Sequence, residues 1–382
     1  LLVCVATSLL LANSSAGQSF DHLLAKQIGF NSATLHLRYS VLLWINDGLM
    51  AIFFLLVGLE IKREALSGEL ASIKKAALPI VAALGGVIIP ALVYALINQG
   101  TPTAKGWGIP MATDIAFALA IISLLGNQVP TSLKVFLSAL AIVDDLSAIV
   151  VIAVFYSTSL NTLYLLYATG IIALLLALNQ AGIRNLIFYL IPGLVLWYCI
   201  HHSGIHATIA GVLTAIMIPA NLIKGHSPLE DLEHILARPV NFVIMPLFAL
   251  VNTNILFEDG MVDGLTTPLG LGILLGLLIG KPLGITLFSF LSVKMGLTTL
   301  PSGAQWKHII GIGILGGLGF TISIFVANLS FLQVELLSQS KFAILTGSIV
   351  AGIIGYITLR SFSRSQWERT MLNNIHKILL MP

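Results

Sequence analysis

Only 9% of this 382-residue chain is charged, against about 25% in an ordinary soluble domain. So little charge cannot solvate a surface of this size, which excludes a water-soluble globule. Long hydrophilic stretches are missing as well, so no soluble appendage is expected and residues 1–382 read as one integral domain. The two cysteines, Cys4 and Cys199, sit far apart in apolar runs. That leaves neither a disulfide framework nor a thiolate metal site. A net charge of +3 gives no basic surface for nucleic acid, because the basic residues fall in short loops. What fills the chain instead is apolar: 57% hydrophobic residues and a mean hydropathy of +0.99. The bilayer must therefore be the solvent, and the expected fold is an all-α integral membrane protein.

Apolar runs bounded by Gly, Pro, Asn or charged residues divide the chain into about twelve spans. They cover residues 1–13, 41–60, 76–98, 106–125, 131–156, 163–179, 185–200, 204–220, 236–256, 268–293, 309–331 and 341–361. The first resembles a signal peptide, but no basic segment precedes it, and it reads better as a spanning helix truncated at its N-terminus. Around residues 33–39 the alternation of TLHLRYS favours a short strand or hairpin outside the membrane. Lys and Arg placement orients the chain. Fourteen of nineteen fall on one side, from Lys62 and Arg63 through Lys224 to Arg364, Arg369 and Lys377. Only Lys26, Arg38, Lys105 and Lys341 fall on the other, with Lys281 inside a span and the acids Glu258, Asp259 and Asp263 among the outer loops. Both termini are thus expected in the cytoplasm.

Two adjacent aspartates, Asp144 and Asp145, interrupt the apolar run FLSALAIVDDLSAIVVIAVF. A charge at bilayer depth costs at least about 2.5–3.5 kcal/mol, so the pair suggests an ion or proton pathway. Asp47, Asp114 and Lys281 are the other ionisable groups deep in apolar sequence. Lys281 is the obvious counter-charge, tolerable if it pairs with a carboxylate or gives up its proton. A purely architectural salt bridge would explain one Asp–Lys pair but leave further acids unexplained. Asp144 and Asp145 point about 100° apart on a helix, so they cannot share one orientation. Helix breaks are the second signal. Pro110 precedes Thr113 and Asp114 within one span, and GIGILGGLGFTISIF at 311–325 opens with five glycines in nine residues. Those glycines suit either an unwound segment or close helix packing. Exposed helix ends at such breaks would be offset by Asp114 and Lys281. TDIAF at 113–117 and TISIF at 321–325 echo one another. Glu60, Lys62, Arg63 and Glu64 in GLEIKRE, with Glu233 and His234 in EDLEHILARP, lie at span ends; a histidine near a carboxylate titrates near neutrality. His201 and His202 mark a water interface.

These segments together resemble the NhaA family of sodium/proton antiporters. The match runs through LLWINDGLMAIFFLLVGLEIKRE, GWGIPMATDIAFALAIISLLG, ALAIVDDLSAIVVIAVFY, SGIHATIAGVL, LIGKPLGI and GILGGLGFTISIFVANLSF, in order and spacing. This family is itself a standard example of inverted repeats with broken helices. The resemblance implies twelve helices with inverted repeats, two of them broken and crossing at the midplane. It implies an ion site at Asp144 and Asp145, Thr113 beside the sodium route, and Lys281 paired with Asp144 when sodium is absent. Asp114 with Lys281 would balance the crossing helix ends. Glu60, Arg63, Glu64, Glu233 and His234 would sense pH, and the region near 28–40 would form a homodimer contact. The activity implied is electrogenic export of Na⁺ or Li⁺ against H⁺ in pH homeostasis at a bacterial inner membrane, without enzyme chemistry or a cofactor. Ala237-Arg238-Pro239 and Val251-Asn252-Thr253-Asn254 depart from the family pattern, which bears on the pH threshold and cation preference. Carboxylate oxygens suit Na⁺ and take protons equally, so the two ions compete, and adjacent acids titrate as a coupled pair. An intramembrane aspartyl protease would need a GxGD-type signature that is absent. A passive cation channel would leave Lys281 unexplained.

Overall fold

The computed structural model describes residues 1–32, 36–157, 160–221, 227–257 and 260–379, without the side chains of Asn127 and positions 363–379. Lys224, Glu258 and Asp259, used above for the charge pattern, lie outside the described residues, as do residues 33–35 of the expected hairpin. So do the side chains of Arg364, Arg369 and Lys377. The chain is almost wholly helical, as lipid demands, because a helix satisfies its backbone donors and acceptors within the segment. Among the described residues, seven helices are long and apolar enough to cross a membrane, or up to nine if each of two bent pairs counts as one span. Two shorter apolar helices, Leu2–Ala12 and Ile187–Ser203, and the helix Ile209–Met217 complete the set. Each of the expected spans has a counterpart.

The differences are local. The span expected at 204–220 shrinks to Ile209–Met217, because Gly204 adopts φ +86° and ends the preceding helix while Pro219 follows the short one. The span expected from 236 starts at Pro228, with Ser227 as N-cap and Glu230 and Asp231 in the first turn, where acids suit the positive helix end. The hairpin is present as Gln27–Ile28 paired antiparallel with Tyr39–Ser40, plus a bridge between Asn31 and His36.

Contacts sort the chain into two units. Residues 1–68 and 149–259 form one. In it, the helix Met50–Leu66 packs tightly on Ile209–Met217: a Cβ on Gly211 would sit 2.1 Å from the Ala51 carbonyl oxygen, so nothing larger fits. Tyr189, Leu196, Trp197 and Ile200 fill the centre of its core.

Residues 69–148 and 260–382 form the other unit. Its apolar core includes the helix Ile115–Leu124, with Ile122, Leu137, Leu140, Ile312 and Leu315 all buried. Here Ile73–Ile97 and Lys281–Lys294 approach so closely that a Cβ on Gly284 would meet the Gly85 carbonyl oxygen at 2.1 Å. Two spans in this unit are broken. A 3₁₀ segment Pro102–Met111 meets the helix Ile115–Leu124 at 44°, and Trp306–Gly316 meets Phe320–Ser330 at 43°. The first was expected as a helix from 106. Pro110 and the extended residues Ala112 and Asp114 instead leave three positions, 112–114, without helical bonding. At the second break both readings of the glycines hold. The helix bends there, yet Gly317 and Gly319 keep negative φ. Their value is room: a Cβ on Gly317 would lie 2.4 Å from the Leu277 carbonyl oxygen.

Candidate ion site

The helix Thr131–Phe155 carries Asp144 and Asp145 into the interior of the second unit, where Asp144 is fully buried and Asp145 nearly so. Lys281 is also fully buried. It opens the helix Lys281–Lys294 directly after a π-helical turn at Gly276–Gly280. Such wide turns occur frequently at functional sites. Lys281 Nζ donates to Asp144 Oδ2 as an ion pair. The same oxygen accepts from Thr113 Oγ1 at 2.6 Å. Asp144 Oδ1 is buried and has no hydrogen-bond partner among the described residues. One carboxylate therefore holds a lysine and a hydroxyl on one oxygen and keeps the other oxygen's lone pairs available.

Thr113 belongs to the first break, and its hydroxyl also lies 3.0 Å from the Gly316 carbonyl oxygen at the second. A threonine has one hydroxyl proton, so the two acceptors share it. Gly316 closes the helix Trp306–Gly316, the end where carbonyls are left without intrahelical donors.

Asp114 serves the opposite ends. Its Oδ1 accepts from Phe117 N at 3.2 Å, making it the N-cap of its own helix Ile115–Leu124. Its Oδ2 accepts from Thr321 N at 3.1 Å and Thr321 Oγ1 at 2.6 Å, in the first turn of Phe320–Ser330. One carboxylate thus caps two helix N-termini, where negative charge is favourable. The Asp114 backbone N–H donates to the Leu318 carbonyl at 2.5 Å, and Ser323 Oγ donates to the Ile109 carbonyl at 2.6 Å. The two breaks are stitched to each other through backbone groups that neither could satisfy alone.

The other expected residues lie in the first unit. Arg63 Nε donates to both Glu233 oxygens, at 3.0 and 2.9 Å, and Arg63 Nη1 pairs with Glu64 at 2.7 Å. Glu60 sits one helical turn before Arg63 and Glu64, on their face. His234 does not join them: it is exposed, turned about 100° round the helix from Glu233. Asp47 is likewise not in the aspartate–lysine cluster. It belongs to a π-helical turn, Trp44–Leu49, and faces His201 Nδ1 at 3.5 Å. His201 and His202 are partly exposed.

Sequence reasoning missed Thr321, although the TISIF echo placed it in register with Thr113; it did single out Lys62, within the GLEIKRE group, but not its partners. Lys62 Nζ donates to the carbonyls of Ile216, at 2.6 Å, and Ile218, closing the C-terminus of Ile209–Met217. Asn46 and Asn252 exchange side-chain hydrogen bonds, with Asn252 donating to Asn46 Oδ1 at 2.7 Å. That pair lies at one of the departures from the family pattern.

A model of the family described as Na⁺/H⁺ antiporter 1 matches residues 1–359. A relative in Flavobacterium johnsoniae, named Na⁺/H⁺ antiporter NhaA 2, is 62% identical over 370 residues, covering 97% of this chain and 91% of its own. The Na⁺/H⁺ antiporter NhaA of Escherichia coli O1:K1 is 48% identical over 364 residues, covering 94% of each chain. Among solved structures, the sodium proton antiporter MjNhaP1 of Methanocaldococcus jannaschii aligns over 94% of this chain and 90% of its own. Its TM-score is 0.56 at 13% identity, a likeness of fold. The chain belongs to the Na⁺/H⁺ antiporter 1 family and is a multi-pass membrane transporter.

Proposed function

We propose that this sodium/proton antiporter moves its ions through Asp144 and Asp145, with Lys281 as the internal competitor of the cation. The observation that carries the reading is Asp144 itself, buried, held by Lys281 and Thr113 on one oxygen and open on the other. Na⁺ or Li⁺, hard cations that prefer oxygen ligands, would bind the two carboxylates with Thr113 and displace Lys281. Protonation of the carboxylates would expel the cation in turn. Asp114 would hold the two breaks in register by capping both helices, so that the site forms at their junction.

The transport direction we infer is export of cytoplasmic Na⁺ or Li⁺ in exchange for external H⁺ across a bacterial inner membrane, with both termini cytoplasmic. More than one proton per sodium ion makes it electrogenic. Residues 1–382 act as one transporter domain, and only the transported ions are needed besides the protein. Arg63, Glu64 and Glu233, with Glu60 beside them and His234 on the outer face, form the pH-responsive group. The hairpin near 28–40 serves a homodimer.

Everted membrane vesicles holding a pH gradient, read with a pH-sensitive dye, test the proposal. Added Na⁺ or Li⁺ should collapse the gradient with the native chain and leave it intact with Asp145→Asn. Full exchange by Asp145→Asn would defeat the site assignment.

A further inference from the structure

The 3₁₀ segment Pro102–Met111 runs for ten residues, whereas such segments seldom exceed about three or four, because their hydrogen bonds are poorly aligned. Groups outside it must hold it in place. At the end that leads to Thr113, Ser323 Oγ donates to the Ile109 carbonyl at 2.6 Å, and beyond it the Asp114 N–H donates to the Leu318 carbonyl. At the other end the support comes from three buried side chains outside the aspartate–lysine cluster, Tyr94, Asn98 and Thr103.

Tyr94 lies in the last turn of the helix Ile73–Ile97, and its hydroxyl donates to the Thr103 carbonyl at 2.8 Å. It reaches that carbonyl past Gly106, where a Cβ would stand 2.4 Å from the phenolic oxygen. Asn98 is the C-cap of the same helix. Its Nδ2 donates to the Tyr94 carbonyl at 3.2 Å and to the Pro268 carbonyl at 2.9 Å. Its Oδ1 accepts from Thr103 Oγ1 at 2.6 Å. Both amide hydrogens and the amide oxygen are thus engaged, and a flipped amide would turn its oxygen toward two carbonyls. The network ties the end of Ile73–Ile97 to the first turn of the 3₁₀ segment and to the start of the helix Pro268–Leu275. A buried polar network satisfied in this way is rigid and specific in geometry.

At about 2.0 Å rise per residue the 3₁₀ segment is a strut about 20 Å long, pinned at both ends. Thr113 follows it by two residues and sets its hydroxyl 2.6 Å from Asp144 Oδ2. We propose that Tyr94, Asn98 and Thr103 are positioning residues that fix the distance of Thr113 Oγ1 from Asp144 and, through it, the preference of the exchanger between Na⁺ and Li⁺. The inference rests on the reading of Thr113 and Asp144 as ion ligands. Hard cations of different size are told apart by cavity size and by how rigidly their oxygen ligands are held. A strut fixed at both ends holds Thr113 Oγ1 at one distance, whereas a strut loosened at the clamp lets the oxygen follow either ion.

Vesicle exchange with NaCl and with LiCl tests this on the native chain, Tyr94→Phe, Thr103→Val and Thr103→Ser, each beside its melting temperature. Tyr94→Phe and Thr103→Val each delete one hydroxyl of the clamp and keep its packing. In both, the ratio of the half-saturating Na⁺ and Li⁺ concentrations should move about three-fold toward one, less than the roughly ten-fold that losing a group bonded directly to a metal ligand costs. Thr103→Ser retains the hydroxyl and should retain the native ratio. In a Thr113→Val background, Tyr94→Phe should no longer move the ratio, because the oxygen through which it acts is gone. If one clamp variant fails to insert, the other decides. An unchanged ratio, with only the melting temperature or the maximal rate lowered, would overturn the proposal. So would a shift that persists in the Thr113→Val background, or a native ratio already at one. An unaltered Na⁺ dependence in Thr113→Val alone would overturn the ion-site reading first and this inference with it.

Discussion

Replacing Lys281 by alanine removes the ammonium from Asp144 Oδ2 and leaves a carboxylate with Thr113 as its remaining hydrogen-bond donor. Both members of the pair have 0% side-chain exposure, so water does not screen the loss. Breaking one partner out of such a pair costs about 3–5 kcal/mol, because a buried charge is left without compensation. Asp144→Asn exposes the converse defect, a buried ammonium facing an amide. Removing both charges leaves no buried charge uncompensated, although the alanine opens a cavity and the asparagine amide is itself buried. The pair should therefore couple strongly in a double-mutant cycle, by more than the 0.5–3 kcal/mol common for contacting residues if the full penalty is relieved. The assay is thermal unfolding of the purified protein in one detergent at fixed scan rate, comparing native, Lys281→Ala, Asp144→Asn and the double variant. Each single variant should melt well below the native chain, and the double variant should fall well short of the sum of the two losses. Destabilisations that simply add would refute a buried ion pair between these two residues. Exchange activity gives the complementary reading, because none of the three variants should transport like the native chain, whatever its stability.

Thr113→Val removes the hydroxyl oxygen that the proposed site offers to Na⁺ and should raise the Na⁺ concentration for half-maximal exchange about ten-fold, a change of about 1.4 kcal/mol. Thr113→Ser should stay near native, and an unchanged Na⁺ dependence in the valine variant would remove Thr113 from the ion site. Asp114→Ala uncaps two helices at about 1 kcal/mol each, whereas Thr321→Val should cost less because the backbone donor to Asp114 remains; equal melting losses would contradict the double cap. Arg63 is partly exposed, so its pair with Glu233 contributes no more than about 1 kcal/mol to stability. Arg63→Ala should accordingly melt near the native temperature while shifting the pH profile of vesicle exchange, and an unmoved profile would exclude this cluster from pH control.

Much of this protein could be read from the chain because charge inside lipid is expensive wherever it occurs. That local cost made Asp144, Asp145, Asp114 and Lys281 conspicuous without any knowledge of their neighbours. The spans follow from uninterrupted apolar length, and the breaks from Pro110 and the glycines at 311–319, which weaken helix bonding where they stand. Partnership is different, since it depends on backbones that meet after hundreds of residues. The family resemblance paired Lys281 with Asp144, but nothing in the residues themselves preferred Asp144 to Asp145, because residue types at 137 positions' separation carry no geometry. The second cap made by Asp114 reaches Thr321, 207 residues away, and closes only because the two breaks meet. Asp47 looked equivalent to Asp114 in its apolar run, yet tertiary packing delivers it to His201. His234 adjoins Glu233 in sequence, and helix geometry alone turns it outward. The solvent, the spans and the candidate charges were legible in the chain, because each depends on the free energy of a residue in its own segment. Which charges neutralise one another was settled by the folded arrangement, because a hydrogen bond requires atoms about 3 Å apart and chain order does not encode that distance.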